Sequence, residues 1–265
     1  MKPCSSYTAT FQRVEKKYLL HQDQYERLLS VILEHMSIDE YGKTKICNLY
    51  MDTQDDLLVR RSIEKPKYKE KMRLRSYGVP SDDSKVYLEI KKKVAGIVYK
   101  RRTSLTAAQA MAYFRDGVIG REMDQITSEI DAMKRRYDLY PKLYLAYDRE
   151  AYREIEPSAD MLRITMDTGI RSREHGVDLR LGDAGELLLP PDMHVMEVKT
   201  AHAIPLWLCE ELSKYHVYPT SFSKYGRIYQ RRFETNPTIS RSNEYRSAAG
   251  NPTKQGGICH AYSSF

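Results

Sequence analysis

The segment Lys71-Met72-Arg73-Leu74-Arg75-Ser76-Tyr77 alternates cations with apolar residues, and this alternation limits the possible folds more than any other feature of the chain. A strand has a side-chain period of two, so Lys71, Arg73 and Arg75 share one face while Met72 and Leu74 take the other. A single segment of this kind also describes an ordinary surface strand with solvated cations. The pattern recurs, however. Arg13, Glu15 and Lys17 share a face; Glu89, Lys91 and Lys93 oppose Leu88 and Ile90; Lys100 pairs with Arg102. Arg149 lies after the apolar Leu143 and Leu145; Arg163, Thr165 and Asp167 oppose Leu162, Ile164 and Met166; Glu197 and Lys199 stand together.

The alternation predicts strands over 10–18, 44–52, 69–77, 85–93, 97–104, 142–153, 161–169 and 193–200, with turns at Tyr77-Gly78-Val79-Pro80 and Ala95-Gly96. Tyr is abundant, 21 residues against 5 Phe and 1 Trp, and many of them sit in alternating segments of this kind, as strand propensity favours. Eight strands suffice to close a small barrel. Helical periodicity covers 22–35, where Tyr25, Leu28, Leu29, Ile32 and Leu33 form one face, and again 106–115, 121–137 and 205–215. If the ionic faces pointed to water, the sheet would lay its apolar face on a core. If they point inward, they line a lumen and leave Met72, Leu74, Leu88, Ile90, Ile164 and Val198 outside for the helices to cover. The abundance of Arg favours the second arrangement, because its planar fork suits bidentate contact with phosphate. The expected fold is therefore α+β: a closed antiparallel eight-stranded β-tunnel with a charged lumen and helices packed outside. Cations crowded into such a lumen repel one another, so it makes physical sense only around a polyanion.

A formal net charge of +7 with 30% charged residues also points to polyanions without choosing among nucleic acid, anionic lipid and phosphate esters. Cys4, Cys47, Cys209 and Cys259 lack CxxC spacing, which argues against a disulfide framework or zinc cluster and fits a reducing cytoplasm. No stretch approaches the ~20 apolar residues of a membrane span. The seven histidines, His21, His194 and His216 among them, show no HExxH spacing, and there is no GxxxxGK[ST] loop. From Arg231 onward the composition turns to Asn, Ser, Pro and Gly, so residues 233–265 are expected to form a disordered tail to a 1–232 domain.

The strings Arg13-Val-Glu-Lys-Lys17-Tyr18, Tyr68-Lys-Glu-Lys-Met-Arg73-Leu-Arg75-Ser-Tyr77-Gly78, Tyr87-Leu-Glu89-Ile-Lys91, Tyr147-Asp-Arg149, Leu162-Arg163-Ile-Thr-Met-Asp167, Met196-Glu197-Val-Lys199 and Phe222-Ser223-Lys224-Tyr225 resemble, in order, the VTC domain. This is the polyphosphate polymerase domain of the vacuolar transporter chaperone family, a branch of the CYTH-like triphosphate tunnel metalloenzymes that also occurs as free-standing bacterial proteins. The resemblance runs from about residue 9 to 230 and implies transfer of the terminal phosphate of ATP to inorganic polyphosphate with Mn²⁺ or Mg²⁺. It places the phosphate-contacting cations at Lys17, Arg73, Arg75, Lys91, Lys100, Arg149, Arg163 and Lys224, with Lys199 second in rank, and the metal ligand at Glu197. By spacing alone Glu197 reads as an ion-pair partner of Lys199; only the resemblance makes it a metal ligand.

Two departures matter. A position that is often basic in the family is Ser221 here, and Arg13 stands where hydrolytic relatives carry a second glutamate, leaving fewer hard oxygen donors for a metal. The second departure favours synthesis over hydrolysis. Three readings stay open: a polyphosphate polymerase, a triphosphatase releasing orthophosphate, and a non-catalytic polyanion binder. Nucleic acid is not expected as partner, since RRM-like and helix-turn-helix signatures are absent. A cytoplasmic location is expected, and the resemblance leaves room for a membrane partner.

Overall fold

The computed structural model describes residues 14–120, 122–159 and 161–235. Two compact units divide the chain after Arg227, and the sheet lies wholly in the first. β1 (Val14–His21) leads directly into α1 (Gln22–His35), and β2 (Met36–Asp52) follows without a loop. After the short helix α2 (Leu57–Glu64) comes a meander of β3 (Tyr68–Tyr77), β4 (Lys85–Val94) and β5 (Ile97–Thr106). The helices α3 (Ala107–Asp116) and α4 (Gln125–Tyr137) precede the long strands β6 (Tyr140–Glu154) and β7 (Arg163–Arg173). The remaining elements are β8 (Glu186–Leu187), β9 (Met193–Thr200), α5 (Leu206–Lys214), β10 (Pro219–Thr220) and α6 (Lys224–Thr235).

All pairings are antiparallel, in the order β10-β1-β9-β7-β6-β2-β3-β4-β5, with β8 appended to β7. The eight expected strands are all present. The closed eight-stranded ring is corrected, however, to an open order of ten strands among the described residues. β10 takes the outer edge of β1, pairing Lys17 with Thr220 and Tyr18 with Pro219, and that is the edge β5 would need for closure. Neither α2 nor α6 was expected, and α6 runs past the expected boundary at 232. Arg13 and residues 236–265 of the expected tail lie outside the described residues.

The sheet nonetheless curls around its ionic face. β9, β7, β6 and β2 stand between β1 and β3, so a flat sheet would hold β1 and β3 about 24 Å apart. Screening extinguishes charge effects well inside that distance. Yet the charge of Lys17 on β1 bears on Lys71 of β3, and Glu15 and Lys199 bear on Lys91 of β4. These strands therefore face one another across a shared space.

The apolar faces turn outward under the helices, in two clusters. Met72, Leu74, Leu88 and Ile90 pack with Ala110 and Tyr113 of α3 and Ile130 and Met133 of α4. Ile164, Met196 and Val198 pack with Leu28 and Ile32 of α1 and Leu208 and Leu212 of α5. At α3 and α4 side chains satisfy the first amides. At α3 the Gln109 amide donates to Thr106 Oγ1 at 3.2 Å while the Thr106 amide donates to Gln109 Oε1 at 3.0 Å, a reciprocal cap. Gly117, at φ 77°, then ends the helix in the left-handed conformation.

Candidate functional site

On the lumen side, β3, β4 and β5 line up their side chains rung by rung. Arg73 faces Glu89, which faces Arg102; one rung further, Lys71 faces Lys91, which faces Lys100; beyond that, Lys69 faces Lys93. The first rung is balanced. Arg73 Nε donates to Glu89 Oε2 at 2.8 Å, and Lys100 reaches Glu89 Oε1 at 2.7 Å. Glu89 is 2% exposed; its burial alone would raise its pKa, but Arg73 and Lys100 bring it down to about 2.

The second rung has no such balance. Among the described residues no ion pair involves Lys71 or Lys91. Burial, reinforced by Lys17, Lys69 and Lys91, pushes Lys71 down to about 8. Lys91 is solvent-exposed, yet burial among protein atoms also lowers its pKa, as expected for a group facing an internal channel. Tyr50 completes this corner. Burial pushes its phenol up, but Arg73, Lys71 and Arg75 outweigh burial and bring it down to about 8. Arg75, buried, donates from Nε to Asn48 Oδ1 at 2.9 Å and so holds its fork with a neutral partner.

The facing wall comes from β6, β7, β9 and β1. Arg149 grips Asp167 with both arms of its fork, Nε to Oδ1 at 2.6 Å and Nη2 to Oδ2 at 2.8 Å, and Lys224 Nζ donates to the same Oδ2 at 2.6 Å. Asp167 is fully buried. Burial would raise its pKa, but Lys224 and Arg149 hold it at about 2. Tyr147 offers its ring to both cations, with Lys224 4.6 Å and Arg149 5.1 Å from its centroid. On the neighbouring strands Glu197 pairs with Lys199 and lies 3.8 Å from Lys17, whose Nζ is 3.7 Å from Glu15. Burial works against the Glu197 carboxylate, but Lys199 and Lys17 keep its pKa below the ordinary value.

Phe222 and the first residues of α6 tie the lumen together. Lys17 donates to the Phe222 carbonyl at 3.3 Å, Lys224 reaches Asp167 on β7, and the Tyr225 hydroxyl donates to Asp52 at the end of β2 at 2.9 Å. Of the cations singled out from sequence, Lys17, Lys199 and Arg149 act on Glu197, Arg73, Arg75 and Lys100 on Glu89, and Lys224 with Arg149 on Asp167, while Lys91 feels Glu15, Lys17, Arg73 and Lys199. Arg163 stands apart: its side chain is 55% exposed and is held by Asp39 at 3.0 Å. Lys71, Tyr50, Tyr147 and Asp167 carry as much of the site's electrostatics as the residues singled out. Lys71 and Asp167 already lay on the alternating faces, whereas the roles of the two tyrosines depend on which strands become neighbours.

Among the described residues no three His, Cys, Asp or Glu side chains converge, so the protein alone builds no metal cage. Glu15 and Glu197, on either side of Lys17, are nonetheless hard oxygen donors. They fit a small divalent cation that takes one or two carboxylates and completes its shell with substrate phosphates and water.

The match of a VTC domain sequence model to residues 12–233 places this chain in the VTC domain family. No curated protein matches it in sequence. Similar solved structures include a suggested adenylate cyclase of Bacillus halodurans, at 14% identity and TM-score 0.46, covering 80% of this chain and 93% of that one. Another is a suggested adenylyl cyclase of Hippeastrum with a dominant triphosphatase activity, at 13% identity and TM-score 0.43, covering 81% and 93%. A third, a suggested adenylate cyclase of Vibrio parahaemolyticus, has 12% identity and TM-score 0.42, covering 82% and 97%. Among the described residues no helix is long and apolar enough to cross a membrane.

Proposed function

We propose that the chain is a metal-dependent polyphosphate polymerase that moves the terminal phosphate of ATP onto inorganic polyphosphate. Membership of the VTC family supports this reading. The observation that carries it is the state of the lumen carboxylates. Glu89, Asp167 and Glu197 are each clamped by cations and held below their ordinary pKa. Such carboxylates are poor bases, and a water molecule attacking phosphorus needs its proton removed. The end of a polyphosphate chain is already an oxyanion at neutral pH and needs no base. The same arrangement therefore favours transfer to phosphate over transfer to water.

In the reaction, an oxygen of the chain end bonds to the γ-phosphorus of ATP, the bridge to the β-phosphate breaks, and ADP leaves with that bridging oxygen. Arg73, Arg75, Lys91, Lys100 and Arg149 hold the phosphates in line and offset the charge that spreads over them. Lys17, Lys199 and Lys224 complete the basic wall, and Arg163 guides the polyanion at the rim. Glu197 would hold Mn²⁺ or Mg²⁺, with Glu15, which shares Lys17 with it, as the second oxygen donor. The ion, when bound, supplies further neutralisation across the phosphate oxygens.

Incubation with ATP and Mn²⁺ followed by gel separation of the products tests the assignment. Polyphosphate chains formed together with ADP are expected, and Arg73→Ala should cut the rate by at least about a hundredfold. Orthophosphate as the sole product would make the protein a triphosphatase. Unchanged ATP alongside tight polyphosphate binding would make it a non-catalytic binder.

A further inference from the structure

The cation rows do not stop where the carboxylates do. Along β3 the lumen-side positions read Arg75, Arg73, Lys71 and Lys69, about 20 Å of strand. Three phosphorus atoms joined by P–O–P bridges cannot span that length. Lys69 faces Lys93 directly across the β3–β4 ladder, the second like-charge rung in succession after Lys71 and Lys91. Opposed like charges destabilise a sheet. Lys65 adds to the same group: burial depresses Lys69, and the charges of Lys93 and Lys65 depress it further. Among the described residues none of Lys65, Lys69 and Lys93 makes an ion pair, and Lys69 has only the Ser62 carbonyl, at 3.3 Å, as acceptor. Three crowded cations at the end of a basic channel, without counter-charge, form a seat for an anion that continues out of it.

We propose that Lys65, Lys69 and Lys93 form an outer site that holds the stretch of an inorganic polyphosphate chain emerging past the end of the lumen at the β4–β5 turn. The inference rests on the polyphosphate reading of the lumen and extends it: the protein distinguishes long chains from triphosphates by contacts outside the reacting centre. Each lysine meets a successive part of the chain as a point charge, so the contribution grows with chain length until the outer site is filled.

Calorimetric titration of the full chain with inorganic tripolyphosphate and, separately, with long-chain polyphosphate tests this. Wild type should bind the long chain more tightly. The triple variant Lys65→Gln, Lys69→Gln, Lys93→Gln should lose about tenfold in long-chain affinity and less than about twofold for tripolyphosphate. Should the triple variant fold poorly, the double variant of the exposed Lys65 and Lys93 should show the same selectivity with a loss of about threefold. Equal losses for both ligands, or none for the long chain, would overturn the outer site while leaving the lumen assignment intact. A single-stranded RNA that competes for these lysines as well as polyphosphate does would overturn the ligand. Failure of wild type to bind either phosphate would remove the lumen reading and the outer site together.

Discussion

Around Asp167 two cations and an aromatic ring close on one carboxylate; around Lys71 the charges of Lys17, Lys69 and Lys91 converge with the Tyr50 phenol, and among the described residues Lys71 itself has no carboxylate partner. Both groups line the same lumen, and both are largely removed from bulk water. The first is a finished ion cluster, whose buried charges are paired and hydrogen-bonded within the protein. The second is unfinished: within the fold only the Tyr50 phenol, itself drawn toward its anionic form, offsets the repulsion at Lys71, and an anion from outside would relieve the rest. One wall thus resembles structure and the other resembles a binding site, although composition and strand pattern are alike on both.

The contrast can be broken most sharply at Asp167. Asp167→Asn strands Arg149 and Lys224 without counter-charge and should cost about 3 kcal/mol, seen as a fall in Tm of roughly 10 °C. A change of only a degree or two would mean that this wall is no better balanced than the other. The wild-type carboxyl, depressed to about 2, contributes its full stability above about pH 4 and loses it as pH falls towards 2.

Lys71→Met should act in the opposite sense. Removing a desolvated, repelled cation should stabilise the ligand-free protein by about 1 kcal/mol, or about 3 °C in Tm, and weaken tripolyphosphate binding by about tenfold. Destabilisation by this substitution would show that Lys71 has a partner within the fold. Since the folded pKa of Lys71 lies below its unfolded value, the unfolded chain binds more protons above about pH 8, and this residue's contribution favours folding as pH rises there. Binding of a polyanion raises that pKa again. Polyphosphate affinity should therefore hold steady below about pH 8 and decline by several-fold as Lys71 loses its proton and Tyr50 becomes anionic. Titration calorimetry at pH 7 and pH 9 measures the change, and an affinity flat across that range would assign the binding to arginines alone.

Much of this was legible in the sequence because a period of two assigns faces without reference to tertiary structure. The strands from Lys71, Glu89, Lys100, Arg149 and Glu197 needed only that, and α1 matches its apolar spacing to the residue at Gln22–His35. Whatever depends on which strands become neighbours was not legible. Arg163 has the right face but pairs with Asp39, 124 positions away in the chain. Helix α2 is short, and its early amides are satisfied from outside it, with Leu58 and Val59 donating to the Asp52 carboxylate at 2.8 and 3.0 Å. Helix α6 does carry an apolar stripe, Tyr225, Ile228, Tyr229 and Phe233 at helical spacing, but the charged and polar residues between them read as the approach to the tail. The open edge has the same origin: nothing in the alternating pattern says that Pro219 and Thr220 will occupy the flank of β1.

Because each strand sends alternate residues to opposite sides, Met72 and Leu74 interleave with Lys71, Arg73 and Arg75 one for one. Inserting or deleting a single residue within such a strand would put methionine and leucine against the phosphates and arginine under the helices, losing packing and chemistry in one step. A change of length should therefore be tolerated in the connections on either side of this strand and not within it.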